Sequence, residues 1–161
     1  MWFPVFCKNK GFYTVASMDR IDRQLLDLIA ADGRMTLARL AEAVGISKSP
    51  CQTRLKRLEA EQYILGYHAR LNFEKLGEAH VAFVQVSLSD TRAPSLAAFN
   101  AAVLKLGAVE SCHMIAGGFD YLLKVRTKDI AAYREVLAER ISALPHVAST
   151  STFVSMQSVK E

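Results

Sequence analysis

Three short helices are predicted between residues 19 and 60, because apolar side chains recur there every three or four positions. Asp19 is expected to cap the first helix, which Gly33 ends. The second helix starts at Thr36 and ends before Gly45, a residue that easily adopts the left-handed conformation found after a helix. Two short helices joined by a tight, glycine-containing turn are typical of a helix-turn-helix.

The third helix, within residues 47–59, has the clearest local signal. Ser49 is expected to be its N-cap, with Pro50 as the first helical residue and Gln52 completing a capping box. An apolar face follows at helical spacing and should pack inward, through Cys51, Leu55 and Leu58. The opposite face is polar and cationic, which suits contact with water or with a polyanion.

The rest of the chain changes to strand patterns. Residues 63–71 are predicted to form two short strands around Gly66, a β-wing after the helices. Strand and helix patterns then alternate in the order βαββαβ, which is that of a ferredoxin-like unit. Gly117 and Gly118 are expected to form the hairpin turn between its second and third strands, and Asp129 to cap its second helix.

The predicted fold class is therefore α+β, with an N-terminal winged helix-turn-helix followed by a ferredoxin-like βαββαβ domain. Four segments are expected: a disordered extension or product of an upstream start codon, a DNA-binding domain, a linker, and an effector-binding and oligomerisation domain. Their expected ranges are 1–17, 18–72, 73–79 and 80–161.

Composition excludes several classes of protein. Hydrophobic residues make up 51% of the 161 residues and charged residues 22%, as in ordinary globular proteins. The three cysteines are far apart and form no C-x-x-C pair, so neither a disulfide framework nor a zinc ribbon is indicated. No apolar run approaches the ~18 residues that a membrane span needs. A cytoplasmic protein with reduced thiols and no membrane partner is predicted.

The distribution of charge indicates where a polyanion would bind. The net charge is +4; residues 1–18 and residues 19–72 each sum to +2. Residues 73–161 carry nine bases and nine acids and sum to zero. The basic character therefore lies in the first half of the chain, together with the predicted helix-turn-helix.

Double-stranded DNA is the polyanion that this motif fits, because a helix can enter the major groove and present its first turns to base edges. The residues expected to contact bases are Lys48, Ser49, Gln52 and Thr53. The residues expected to bind phosphates are Arg54, Lys56 and Arg57. The alternative interpretation is a three-helix packing module whose charged face is merely solvated.

No catalytic residue, metal site or cofactor is predicted. The four histidines lack the spacing of metal ligands, and the neighbours Cys112 and His113 would point to opposite faces of a strand. Gly117 and Gly118 lack the strand–loop–helix pattern of an anion site. Asp120 lies in an otherwise apolar strand, where its carboxylate is either solvated or a polar contact in a ligand pocket.

From Met18 onward the chain resembles the Lrp/AsnC family of feast/famine regulators. The matching motifs follow one another in the family's order: Asp19-Arg20-Ile21-Asp22, Asp32-Gly33-Arg34, Val44-Gly45-Ile46-Ser47, Ser49-Pro50-Cys51, Arg54-Leu55-Lys56-Arg57-Leu58-Glu59, Ile64-Leu65-Gly66-Tyr67, Cys112-His113, Phe119-Asp120-Tyr121 and Tyr133-Arg134. The resemblance implies a DNA-binding domain, an amino-acid-binding domain, and homodimers that pair through their sheets and assemble into octamers.

The same resemblance implies where an amino-acid effector binds: at the hairpin loop formed by Ala116, Gly117, Gly118, Phe119 and Asp120. Relatives often have an aspartate where Gly118 stands, so one carboxylate near this pocket is missing. Residues 79–83 and 112–116 look most like the subgroup that activates proline catabolism.

The function predicted from the sequence is a sequence-specific transcription regulator that responds to an amino acid, with proline as the candidate, and controls genes of amino-acid metabolism. The alternative is an enzyme similar to sirohaem decarboxylases, which share this architecture and use paired histidines on a tetrapyrrole. Such an enzyme has no need of the cationic face at residues 48–57.

Overall fold

The computed structural model describes residues 18–160, and the chain divides into two compact units between Arg70 and Leu71. The predicted extension at residues 1–17 lies outside the described residues. Within residues 18–70 the first unit contains three helices: α1 (Arg20–Ala31), α2 (Leu37–Val44) and α3 (Lys48–Ala60).

The ends of α1 and α2 are determined by the predicted capping residues. Asp19 caps α1, and its side chain and that of Asp22 accept hydrogen bonds from each other's backbone N–H, at 2.8 and 3.2 Å. Thr36 caps α2, and Gly45 ends it with a φ of 73°, in the left-handed region. The apolar faces meet in a core of Leu25, Leu40, Ala41, Cys51 and Leu58.

The start of α3 differs from the prediction. Ser47 is the N-cap, without a side-chain capping bond, so the capping box predicted at Ser49 and Gln52 is wrong. Pro50 lies third in the helix instead of first. A proline fits at either place, because the N–H groups of the first turn have no acceptor within the helix and the missing donor costs nothing there.

The two wing strands predicted in residues 63–71 are not formed. Residues 61–79, all of which the structure describes, consist of turns and irregular backbone. Leu65 is 84% exposed, so the segment lacks the buried apolar face that a two-stranded hairpin needs for stability in water. The Tyr67 hydroxyl donates instead to the Glu59 carboxylate at 2.9 Å, near the end of α3.

Residues 73–79, the predicted linker, belong to the second unit and make ordered contacts within it. The Arg126 guanidinium lies over the Phe73 ring, 4.0 Å from its centroid, and Nη1 of Arg126 donates to the Glu78 carbonyl at 3.3 Å. The Asn72 side chain accepts a bond from the Lys75 N–H at 3.0 Å and closes a turn.

The second unit has the predicted order βαββαβ. Its elements are β1 (His80–Leu88), α4 (Ala93–Val103), β2 (Val109–Met114), β3 (Tyr121–Thr127), α5 (Ile130–Glu135), which continues as a π-helical turn (Val136–Ile141), and β4 (Val147–Val154). The four strands form one antiparallel sheet in the order β2-β3-β1-β4. This is the ferredoxin-like arrangement.

The two faces of this sheet differ in burial because side chains alternate along a strand. One face packs against α4 and α5, and its buried side chains include Ala82, Val84 and Val86 of β1. The opposite face, here called the open sheet face, carries Phe83, Gln85, Leu122, Lys124 and Phe153. Phe83 is paired with Phe153 across β1 and β4, and these rings are 37% and 54% exposed.

Candidate DNA-binding helix and effector loop

The surface of α3 is polar along one side. Ser49, Gln52, Thr53 and Lys56 follow one another at intervals of three, one and three residues, which places them on one helix face. The exposed side chains there include all five of Lys48, Ser49, Gln52, Thr53 and Lys56. The opposite side is held in the core by Cys51 and Leu58, as predicted. The packing therefore presents to solvent the residues predicted to contact bases.

Arg54 and Arg57 have ionic partners inside the first unit. Nη1 of Arg54 lies 2.6 Å from Oδ2 of Asp19 and 2.9 Å from Oδ1 of Asp22. Nη2 of Arg57 lies 2.5 Å from the other oxygen, Oδ2, of Asp22. The side chain of Asp22 is only 1% exposed, whereas those of Arg54 and Arg57 are 28% and 36% exposed.

These contacts shift the pKa values in the directions expected of ion pairs. The Asp22 backbone N–H, followed by the Arg54 guanidinium, lowers the pKa of Asp19 below its usual value. Hydrogen bonds to Asp22 and Asp19 raise the pKa of Arg54. The four residues form one charged network that joins the first turn of α1 to the middle of α3. We call it the Asp–Arg network.

Sequence reasoning identified Asp19 as the N-cap of α1 but missed the contacts of Asp19 and Asp22 with the arginines. The partners are separated by 32 to 35 positions, a distance at which no helical or strand periodicity relates two residues. A usable signal was present, since the aspartates and the arginines both belong to the motifs that carry the family resemblance.

The predicted effector loop connects β2 to β3. The Ile115 N–H donates to the Asp120 carbonyl at 2.8 Å and closes the loop. Ala116, Gly117 and Gly118 are exposed, and Phe119 is half-buried. The predicted pairing of the two strands is confirmed, although the connection spans six residues instead of a two-residue turn.

The carboxylate of Asp120 has a partner within the chain. Its Oδ2 accepts a hydrogen bond from the Leu88 N–H at 2.7 Å, and the Asp120 N–H donates to the Val86 carbonyl at 3.0 Å. This bond is neither of the two roles predicted for the carboxylate: it supports the end of β1 next to the loop.

The two glycines of the loop are not required by its backbone. Neither has a φ in the left-handed region, and a Cβ added to Gly118 would meet no atom within 4 Å. A Cβ added to Gly117 would touch only a methyl group of Ile115, at an ordinary distance of 3.5 Å. Open space is therefore available beside Gly118 in this exposed loop.

Cys112 and His113 point to opposite faces of β2, as predicted. Cys112 packs against the core, and burial raises the pKa of its thiol to about 11, whereas His113 is exposed. In residues 18–160 no three His, Cys, Asp or Glu side chains are grouped so as to hold a metal ion. Within the same residues, no helix combines the length and apolar character that crossing a membrane requires.

Comparison with known proteins identifies both units. Residues 18–64 match the model of a winged helix-turn-helix DNA-binding domain, and residues 81–161 match the Lrp/AsnC ligand binding domain. The chain belongs to the Lrp/AsnC family. The architecture and the family predicted from the sequence are thereby confirmed, and this Lrp/AsnC protein is a DNA-binding transcription regulator with a ligand-binding domain.

Relatives and solved structures agree with this assignment. A proline dehydrogenase transcriptional activator of Rhizobium radiobacter is 60% identical over 144 residues, which cover 89% of this chain and 92% of the relative. A protein of the same name from Rhodobacter capsulatus is 49% identical, over 89% and 94% of the two chains. A feast or famine regulatory protein of M. tuberculosis, solved with L-methionine, has a TM-score of 0.83 at 35% identity and covers 90% and 96%.

Proposed function

We propose that this protein regulates transcription by placing α3 in the major groove of double-stranded DNA, with an amino acid bound at the loop between β2 and β3 adjusting its activity. The observation that carries the DNA half is the exposed polar face of α3. Apolar packing on the other side of the helix leaves that face free to contact DNA.

Individual roles follow from the chemistry of the side chains on this face. The amide of Gln52 can both donate to and accept from the edge of an adenine, and the ammonium of Lys48 can donate to guanine acceptors. The Thr53 hydroxyl donates to the Ser49 carbonyl at 3.1 Å, so it offers lone pairs to base amino groups. Lys56 lies one turn further along and is a phosphate contact.

The test begins with selection of bound duplexes from a random pool, followed by fluorescence anisotropy on the selected site. Gln52→Ala is expected to change which bases are preferred. Lys56→Ala is expected to weaken binding to all sequences and to reduce the slope of log affinity against log salt by about one. Lys128→Ala removes the same charge from the second unit and should leave both quantities unchanged. If Gln52→Ala and Lys56→Ala both bind like the unaltered protein, α3 is not the DNA-binding helix.

L-Proline is the first effector to test, because the two relatives described above are named proline dehydrogenase transcriptional activators. Gly117 and Gly118 are exposed, and backbone N–H groups of such a loop can bind the carboxylate of an amino acid. Gly118 contributes no carboxylate that could accept hydrogen bonds from the ammonium group of the effector. This favours proline, because its secondary ammonium has fewer N–H donors than the primary ammonium of other amino acids. Isothermal titration with proline, leucine and methionine tests this part. If none of the three binds, this effector proposal fails, while the DNA-binding proposal still stands.

Homodimers that assemble further, up to octamers, complete the proposal. Support comes from the paired exposed rings of Phe83 and Phe153 on the open sheet face, since an apolar surface of this kind is commonly an interface. With chromosomal DNA as its partner, the protein would act in the cytoplasm and without enzymatic activity. Visible absorbance of a bound tetrapyrrole in the purified protein would instead support the decarboxylase alternative.

A further inference from the structure

We infer that Arg54 and Arg57 are positioning residues, which hold α3 at a set rotation on the first turn of α1, and that they are not phosphate contacts. The inference rests on the proposed function, because it concerns how the base-contacting face of α3 is directed. It changes the role that the sequence predicts for these two arginines.

The first argument is the burial of Asp22. Its carboxylate is 1% exposed, and the described contacts use both oxygens: Oδ1 with Arg54, and Oδ2 with Arg57 and the Asp19 N–H. A buried carboxylate is stable only when it is paired and hydrogen-bonded. If both arginines turned toward DNA phosphates, Asp22 would be left charged and buried. The pairing inside the protein is therefore favoured over pairing with DNA.

The second argument is the rigidity of the partners. Asp19 and Asp22 are themselves held by the capping box of α1, so their oxygens occupy defined positions. Nη1 of Arg54 lies between the two carboxylates. Arg57 is held beside Asp22, and its Nε is buried without a hydrogen-bond partner among the described residues. Charge-assisted hydrogen bonds of this kind impose direction as well as attraction.

The third argument is the position of the arginines on the helix. Arg54 directly follows Thr53, and Arg57 directly follows Lys56, so each arginine stands next to a residue of the exposed face. Successive residues are turned by about 100° around a helix axis, and a small rotation of α3 would move every base-contacting side chain together. The Asp–Arg network opposes such a rotation, which the nonpolar contacts of Cys51 and Leu58 do less well because they lack direction.

The experiment compares binding to a selected site with binding to random DNA, each over a range of salt concentrations. Arg54→Lys and Arg57→Lys keep the charge but lose the guanidinium geometry. Each is expected to lower the ratio of selected to random affinity about tenfold, the effect of losing one good base contact. Arg54→Gln and Arg57→Gln are expected to leave the salt slope on random DNA unchanged. Lys56→Gln is the matched control and should reduce that slope by about one.

Asp22→Asn separates the two roles by its effect on random DNA. If the arginines are positioning residues, Asp22→Asn lowers affinity for the selected site and leaves affinity for random DNA unchanged. If they are phosphate contacts restrained by Asp22, releasing them raises affinity for random DNA, and the inference is wrong. Circular dichroism establishes whether each variant is folded. Should Asp22→Asn fail to fold, the lysine variants decide the question.

The remaining outcomes are also decisive. A variant that is merely less stable lowers both affinities by the same factor and leaves their ratio unchanged, which would overturn the positioning role. A salt slope reduced by Arg54→Gln and Arg57→Gln as much as by Lys56→Gln would overturn it while leaving the proposed function intact. Absence of DNA binding by the unaltered protein would overturn both.

Discussion

At the scale of single residues, Asp120 is important because it supports the strand end beside the effector loop. Its carboxylate accepts the Leu88 N–H at 2.7 Å, and its own N–H donates to the Val86 carbonyl. The nearby Gly118 is not required by the structure in the same way, since a side chain would fit there without strain or contact. Two positions separated by one residue thus differ completely in what they contribute to stability.

Asp120→Ala is expected to lower the free energy of unfolding of the second unit by about 1.5–3 kcal/mol, because the Leu88 N–H loses a charged acceptor. Gly118→Ala is the control and should change it by less than about 0.5 kcal/mol. Hydrogen exchange of the slowest amides in β1 and β3 measures both. Equal effects of the two substitutions would show that the Asp120 bond contributes no stability.

Cys112 is expected to be unreactive in the folded protein. Burial raises the pKa of its thiol to about 11, so almost no thiolate is present near pH 8. Cys112 is half-buried, and iodoacetamide at that pH should modify it much more slowly in the native protein than after addition of denaturant, as measured by peptide mass spectrometry. Raising the pH toward 11 should increase its labelling. Labelling of the native protein at pH 8 as fast as that of the denatured protein would contradict the raised pKa of this half-buried thiol.

At the scale of elements, the capping residues determine where the helices begin. The Asp129 carboxylate accepts the Ala132 N–H at 2.8 Å and starts α5, whereas Ser49 lies inside the first turn of α3 and caps nothing. Both positions fit the N-cap pattern of a sequence. For α3 the backbone selects Ser47 instead of Ser49 as the N-cap, because an N-cap must be extended, and Ser47 has that conformation with a ψ of 162°.

Asp129→Ala is expected to lower the stability of the second unit by about 1 kcal/mol, the usual effect of losing a capping bond. Ser49→Ala should change the stability of the first unit by less than about 0.5 kcal/mol. Hydrogen exchange resolved by peptide follows each unit separately. A loss of about 1 kcal/mol or more on Ser49→Ala would restore the capping role predicted for Ser49.

At the scale of the whole molecule, self-association through the open sheet face is the proposal with the largest consequence. Phe153 lies in an edge strand and is 54% exposed, so a lysine there can be solvated in the monomer. Buried against a second copy, the same lysine would place a charge in an apolar interface. The monomer should therefore fold normally and associate poorly.

Phe153→Lys is expected to shift the protein toward smaller species in sedimentation velocity, with an unchanged circular dichroism spectrum. Ile130→Lys makes an equivalent change at a site on α5 that is 52% exposed, and it should leave the distribution of species unaltered. If Phe153→Lys sediments like the unaltered protein, the open sheet face is not the interface.

Much of the candidate site could be predicted because its signals are local. Gln52, Thr53 and Lys56 are exposed since Cys51 and Leu58 occupy the opposite side of the same helix, and that relation follows from helical periodicity. The two wing strands predicted in residues 63–71 are not formed, and the sequence alone could not show this. Strand formation depends on a partner surface against which an apolar face is buried, and the alternating pattern does not show whether such a surface is present.

The sequence by itself determined the order of the elements, the faces that they bury and the family, because these depend on periodicity, capping residues and motifs within a few positions of one another. Only the tertiary structure decided the roles of Arg54 and Arg57. Their positive charge is visible in the sequence, but their partner Asp22 lies 32 to 35 positions away and is buried only when α1 and α3 pack. An arginine exposed to DNA and an arginine paired inside the protein look the same in the sequence, and only the fold distinguishes them.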